Sequence, residues 1–264
     1  MYDFTYQRAR SLSEAVKMLG KAKDGKFLAG GMTLIPTLKQ RLAHPSDLID
    51  LGTIAELKGI KKEKGAIVIG ATTSHAEVAA STEVAEAIPA LAKLADSIGD
   101  AQVRNRGTLG GSIANADPAA DYPAAVVGLG ATVHTNKHKI AADDFFRGLF
   151  ETALQDNEIV TAVSFPIPKR AGYAKFPNPA SRYAVVGVMV SEGDGGIRVA
   201  VTGAGPSVFR VAEMEKALSN KFTPDALDGI SVPADDLNSD LHASADYRAH
   251  LVTVMAKRAV TAAG

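Results

Sequence analysis

Two short glycine turns hold the chemistry that this sequence can do with its backbone alone: AGGMT at Ala29–Thr33 and TLGGS at Thr108–Ser112, each set between an expected strand and a following small-residue segment. A glycine pair gives access to positive φ and lets main-chain amides approach a ligand that side chains would hold off. Neither turn has the lysine of a phosphate-binding P-loop, and neither completes the GxGxxG pattern of a Rossmann turn. What remains is a set of amides, the hydroxyls of Thr33, Thr108 and Ser112, and the positive end of a helix expected after Gly31. If the two turns face each other, these donors suit a pyrophosphate held without cationic side chains. A single glycine pair after a strand ordinarily marks only a tight turn. The longer stretch RNRGTLGGSIANADPAADYPAA, Arg104 to Ala125, adds Asp117 and Asp121; an aspartate beside proline is ordinarily a cap or turn residue.

The whole chain limits the alternatives. Its 264 residues are 46% hydrophobic, enough for two modest domains or one large one with a sizeable core. Lys plus Arg and Asp plus Glu number 29 each, so no net field draws nucleic acid or an anionic membrane. Cysteine is absent, which removes disulfides, thiolate metal sites, cysteine nucleophiles and protein-ligated iron–sulfur clusters. No stretch has about 20 uninterrupted apolar residues and MYDFTYQRARSLSEAVKML lacks a signal-peptide core, so an integral membrane segment is not expected and the expected location is cytoplasmic. His134 and His138 are four apart but fall in an expected hairpin, where that spacing does not share a face. His44, His75, His242 and His250 are scattered and read as surface or cap residues. No metal site and no catalytic residue is assigned.

The elements that must position the glycine turns follow from periodicity. Leu12, Ala15, Val16 and Leu19 predict a helix after a serine cap, and Lys26–Ala29 predict a short strand running into the first turn. TLIPTLKQRLA predicts a helix with Leu34, Leu38 and Leu42 on one face and Pro36 near its start. DLIDLG is a second strand, and KGIKKEKGAIVIGA predicts a hairpin turning at Lys64-Gly65. Ser74 caps HAEVAA, and Pro89 opens PALAKLADSI, the helix that leads to the glycine-rich segment. Beyond it, Pro118–Leu129 predicts a helix, ATVHTNKHKIAA a hairpin at Asn136-Lys137, and EIVTAVSFPIP a β-branched strand stopped by prolines. Tyr183–Ser191 and Ile197–Thr202 form a hairpin across EGDGG. Helices follow at Arg210–Leu218 and Tyr247–Ala263. AADDF and VPADDL read as acidic turns that serve solubility.

FLAGGMTLIPTLK, RNRGTLGGSIANADPAADYPAA, EIVTAVSFPIP and YAKFPNPASRYAVVGV, in that order, together with DLHASADYRAHLVTVMAKRAV, resemble the FAD-binding subunit of molybdenum hydroxylases. That family includes the medium subunit of aerobic carbon monoxide dehydrogenase and the flavin domain of xanthine dehydrogenase. The resemblance implies an α+β fold: a p-cresol methylhydroxylase-type FAD-binding domain at residues 1–170, of two α/β lobes at about 1–55 and 56–170, then a small α+β domain of antiparallel sheet plus helices at 171–264. The cofactor it implies is FAD. Leu28, Ala29, Gly30, Gly31, Met32, Thr33, Leu34 and Ile35 match the family's first pyrophosphate loop; Thr108, Leu109, Gly110, Gly111 and Ser112 match the second. Asp121 matches a carboxylate that accepts from ribose or ribityl hydroxyls. Ile98 and Val160 match apolar positions flanking the cofactor, Lys175 a lysine near the flavin, and Tyr183 a tyrosine covering one face of the ring.

Ser112 departs from the family's usual asparagine or aspartate, and Met32 lies at a variable position; neither removes an amide. The cysteine-rich insertion of the benzoyl-coenzyme-A-reductase branch is missing. The implied role is electron transfer from iron–sulfur clusters of a small 2Fe–2S subunit, through FAD, to a terminal acceptor. Substrate chemistry is expected on a large molybdenum-cofactor subunit, in a dimer of heterotrimers. The alternatives at this point are a stand-alone FAD-dependent oxidase and an assembly subunit without cofactor.

Overall fold

A serine, a glutamate and a parallel ladder organise the first fifty residues of the computed structural model, which describes residues 1–264. Strand β1 (Thr5–Arg8) leads to α1 (Leu12–Leu19). Ser11 Oγ accepts from the Glu14 amide at 3.2 Å and Glu14 Oε2 accepts from the Arg10 amide at 2.7 Å, which satisfies donors left over at a helix start. Strand β2 (Gly25–Leu28), α2 (Leu34–Lys39) and β3 (Asp47–Asp50) follow, and β3 lies parallel between β1 and β2. Helix α2 is shorter than the leucine spacing predicts. It ends at Lys39, Arg41 takes a φ of 61°, and Leu42 is exposed rather than on a buried stripe.

A second, antiparallel sheet has the order β4-β5-β10-β6-β7. Its strands are β4 (Ile60–Glu63), β5 (Ala66–Gly70), β6 (Thr132–Thr135), β7 (Lys139–Ala141) and, after the short α9 (Ala142–Phe145) and the hairpin β8 (Phe146–Gly148) and β9 (Glu151–Thr152), β10 (Val160–Pro166). Both predicted hairpins form, the first around Gly65 with a φ of 72°. Between β5 and β6 the chain makes six helices: α3 (His75–Ala80), α4 (Thr82–Ala87), α5 (Pro89–Asp96), α6 (Ala101–Arg106), α7 (Leu109–Asn115) and α8 (Tyr122–Gly128). Ser74 and Glu77 close a full capping box on α3. Helix α6, capped by Asp100, is not legible in the periodicity. It places a helix, rather than the expected strand, in front of the second glycine turn. Buried side chains of this sheet and its helices, among them Tyr122, Phe145 and Phe165, form the largest core.

The third sheet is the antiparallel meander β11 (Arg170–Pro177), β12 (Ala184–Gly193), β13 (Gly196–Thr202) and β14 (Phe209–Arg210). Periodicity does not predict strand β11. Helices α10 (Ala212–Asn220) and α11 (Ala245–Ala262) complete this part. Helix α11 packs on β11 and β12, and α8 contacts β12 and β13, so the run AVVGVMVS of β12 is buried throughout. A strand covered on both faces reads as continuous apolar sequence, not as alternation.

This third sheet also grips the segment before α8. Thr202 Oγ1 donates to the carbonyls of Pro118 (2.9 Å) and Ala120 (2.7 Å), and the amides of Ala184 and Gly203 donate to Ala119 and Pro118. Asp143 of α9 (Ala142–Phe145) pairs with Arg198 and Arg210, so AADDF is a tie to the third sheet rather than a solubility turn.

His75, expected as a surface or cap residue, is the first residue of α3 after the Ser74 cap but is buried, with its ring beside Gly107 and 5.3 Å from that of Tyr122. Burial, aided by the charge of Arg104, lowers its pKa from 6.5 to about 4. The unfolded chain therefore takes up a proton at this position below about pH 6.5 that the native chain refuses until about pH 4. Stability is lost as pH falls through that window, by a total of about 3 kcal/mol. His75→Gln is expected to flatten this component. Denaturant unfolding at pH 7 and pH 4.5 checks it: a wild-type-minus-variant difference that does not change with pH counts against the buried neutral imidazole.

Candidate flavin site

The first glycine turn is built by position and by what it leaves unpaired. Strand β2 delivers the chain to Ala29, and Gly31 adopts a φ of 74°, which a side chain would resist. A Cβ at Gly30 would fall 2.1 Å from the carbonyl oxygen of Arg106, so the turn lies directly against the end of α6. None of the amides of Ala29, Gly30, Gly31, Met32 and Thr33 donates to a protein acceptor. The last of these N–H groups are the ones a helix start leaves without an intrahelical acceptor, and the first three extend that open run back along the turn. Such a run is a ready seat for an anion with several oxygens.

The second glycine segment behaves differently. Thr108 caps α7, so Gly110 and Gly111 are helical and need no positive φ. Four of its five amides are already used: Leu109 donates to Thr73 O at 3.1 Å, Gly110 to Ala71 O at 2.8 Å and Ser112 to Thr108 O at 3.0 Å, while Gly111 donates to Thr108 Oγ1 at 3.2 Å. The run of free amides therefore lies in the first turn. The second supplies closeness. A Cβ at Gly110 would lie 2.5 Å from Ala71 Cβ, so this glycine seats α7 on the end of β5. Gly111 is exposed, and its Cβ would meet Thr108 Oγ1 at 2.8 Å and Ala29 Cβ at 3.7 Å. The two bends therefore meet, as the sequence predicts.

They share a cavity of about 600 Å³. Leu28, Ala29, Gly30, Gly31, Met32, Thr33 and Leu34 line one side of it, and Thr108, Gly110, Gly111 and Ser112 another. Ile98, Val160, Asp121 and Tyr183 complete it from elements far apart in sequence. Three residues expected at the site do not line it. Ile35 packs toward Gly31, Leu109 is fully buried in the main core, and Lys175 faces Asp121 from the third sheet.

Charge in the cavity is set by burial. Asp121 is almost fully buried, which pushes its carboxyl above the ordinary range, while the Lys175 ammonium at 2.9 Å and the Tyr173 hydroxyl at 2.5 Å oppose that rise by favouring the charged form. Asp117 is likewise pushed up by burial, countered by the Ala119 amide at 2.9 Å. Tyr183 sits at the end of a turn wound around Asn178, whose Oδ1 accepts from the amides of Ala180 and Ser181. Burial and the nearby carboxylates of Asp117 and Asp121 raise its phenol pKa, so it stays neutral.

Several lining residues escaped sequence reasoning. His75 reaches the cavity from α3; its sequence signal, a residue just after a cap, says nothing about burial. Glu158 is a buried carboxylate held by Thr135 Oγ1 and the Gln155 amide, with His138 Nδ1 3.2 Å away. His134, on β6, does not join His138 in a cluster with other metal-binding side chains. Phe150, at the tip of the β8–β9 hairpin with a φ of 55°, forms part of the rim and is exposed.

Residues 2–168 match the family model described as the FAD binding domain in molybdopterin dehydrogenase. The chain is 35% identical to the carbon monoxide dehydrogenase medium chain of Hydrogenophaga pseudoflava, over 98% of this chain and 96% of that one. It is 34% identical to the nicotine 6-hydroxylase medium subunit of Paenarthrobacter nicotinovorans, over 98% and 96%. A solved carbon monoxide dehydrogenase from Hydrogenophaga pseudoflava superposes with a TM-score of 0.89 at 36% identity, over 99% of this chain and 97% of that one. Quinoline 2-oxidoreductase from Pseudomonas putida 86 gives 0.85 at 28% identity, over 99% and 97%. No helix of the structure is long and apolar enough to cross a membrane. The chain belongs to the family of FAD-binding subunits of molybdopterin dehydrogenases.

Proposed function

We propose that this chain is the FAD-binding electron-transfer subunit of a cytoplasmic molybdenum-containing hydroxylase or dehydrogenase. Residues 1–170 form its FAD-binding domain, with lobes at about 1–55 and 56–170, and residues 171–264 its C-terminal domain. The observation that carries this reading is the run of unpaired amides from Ala29 to Thr33 in a cavity also lined by Ile98, Val160 and Tyr183. That donor set fits a diphosphate, and the apolar and aromatic wall fits a flat ring system.

In this reading the first-turn amides hold the pyrophosphate, with the hydroxyls of Thr33 and Ser112 beside them. Asp121 accepts from sugar hydroxyls. Ile98 and Tyr183 enclose the ring, and Val160, at a bulge in β10, closes the end of the pocket. When bound, FAD supplies the junction between one-electron and two-electron carriers. The chain's own part is to bind, orient and shield it; no side chain is required to move a substrate proton. The partners are a large subunit with the molybdenum cofactor and a small 2Fe–2S subunit, assembled as a dimer of heterotrimers that reduces a terminal acceptor. Relatives named as medium chains of such dehydrogenases support this assignment.

Titration of the purified chain with FAD is expected to saturate at one flavin per chain with quenched flavin fluorescence; a chain that leaves flavin fluorescence unchanged sinks the reading. Gly110→Val and Gly111→Val separate packing from ligand approach. Gly110→Val drives a branched side chain into Ala71 and is expected to lose several kcal/mol of stability, at the overpacking end of core substitutions. Gly111→Val is expected to keep a cooperative unfolding transition while losing FAD, and normal flavin stoichiometry in it would refute this placement. Tyr183→Ala is expected to retain FAD but change its midpoint potential and its accessibility to iodide quenching. A potential and quenching constant equal to those of wild type argue against the ring-facing role.

A further inference from the structure

Lys175 is the one expected flavin neighbour that the fold points elsewhere. Its ammonium group has three protons, and each has an acceptor in the protein: Asp121 Oδ1 at 2.9 Å, Ser97 O at 2.9 Å and Arg182 O at 3.0 Å. Those acceptors lie on three segments that are in, or adjoin, the cavity wall. Asp121 is itself in the wall; Ser97 precedes Ile98; Arg182, with a φ of 62°, precedes Tyr183. Two residues earlier on the same face of β11, Tyr173 donates to the same Asp121 Oδ1 at 2.5 Å. Tyr173 and Lys175 line a separate, smaller cavity and not the main one. One carboxylate oxygen is thus taken by two donors, and Oδ2 has no hydrogen-bond partner in the protein. Tyr173 keeps its proton because burial and the adjacent carboxylate both raise its pKa.

We infer that Tyr173 and Lys175 are positioning residues that clamp Asp121 from behind, presenting Oδ2 to the bound cofactor's hydroxyls, and that Lys175 gives no hydrogen bond to the flavin. Through Ser97 and Arg182 the same ammonium fixes the backbone that carries Ile98 and Tyr183. This inference rests on the FAD reading above, and it assigns a role to Tyr173, a residue outside the cavity lining.

Double-mutant cycles on the full chain, with FAD as the probe, test it. Tyr173→Phe deletes one hydrogen bond to a charged group and is expected to weaken FAD binding about tenfold with aspartate at 121. In an Asp121→Asn background the same change is expected to cost less than about twofold, because the group it acts through is gone. Equal losses in both backgrounds overturn the clamp. Lys175→Met is expected to shift the flavin midpoint potential more with aspartate at 121 than in the Asp121→Asn background, where only the hold on Ser97 and Arg182 is lost; shifts of the same size in both backgrounds overturn the assignment. Thermal unfolding without flavin provides a separate check. Lys175→Met leaves a buried carboxylate unpaired and lowers Tm, and combining it with Asp121→Asn restores part of the loss. Additive Tm losses overturn the clamp. If wild type binds no FAD, the functional reading fails, while this ligand-free cycle still decides whether the three residues act together.

Discussion

Five adjacent peptide N–H groups without an acceptor in the protein face one cavity, and the surrounding structure holds them there. Ala29 to Thr33 stay open because β2 is pinned at the edge of a parallel ladder on one side, because Gly31 turns through positive φ, and because Gly30 abuts the last carbonyl of α6. A group with clustered negative oxygens can take these donors together, so the turn is selective through converging main-chain N–H groups rather than through a cationic side chain.

The opposite wall is held by a different logic. The second glycine segment spends four of its five amides on the protein and contributes small surfaces that allow α7 to sit on β5 and within van der Waals reach of the first turn. Residues 118–121 are braced from outside by Thr202, Gly203 and Ala184 of the third sheet. The buried carboxylate of Asp121 is held there in the same manner, by a lysine and a tyrosine whose strand belongs to that sheet. The cavity is therefore a junction between the three sheets, and each contributes something that the others lack: free donors, close approach, or a fixed charge.

Much of this could be read from the residues. Serine caps at Ser11 and Ser74, the proline at the start of α5 and the glycine turns of the hairpins each follow from local chemistry, and local chemistry survives folding. Where the structure departs from the pattern, long-range packing overrules the local signal. Gly110-Gly111 reads as a turn, yet a threonine cap and the need to approach Ala71 make it helical. His75 carries no pattern that marks burial. Strand β11 hides because Tyr173 and Lys175, polar residues at strand spacing, point into the protein and bond to an aspartate fifty residues away. A buried lysine is against the ordinary expectation for that residue, and only its three acceptors make it tolerable. The placement of Asp121, Ile98 and Val160 around one pocket was visible through resemblance alone, since no spacing in the sequence brings those positions together.

The grip of the third sheet on Pro118, Ala119 and Ala120 carries an implication for how far this molecule can be divided. A fragment stopping near residue 168 would keep every glycine of both bends and the whole of the recognised family segment. It would nonetheless release the carbonyls of that stretch to water and leave Asp121 without either of its donors. Modularity in this chain stops at the level of the sequence pattern: the pocket is a property of the whole polypeptide, and an excised amino-terminal fragment would retain the lettering of a nucleotide cradle without its stiffness.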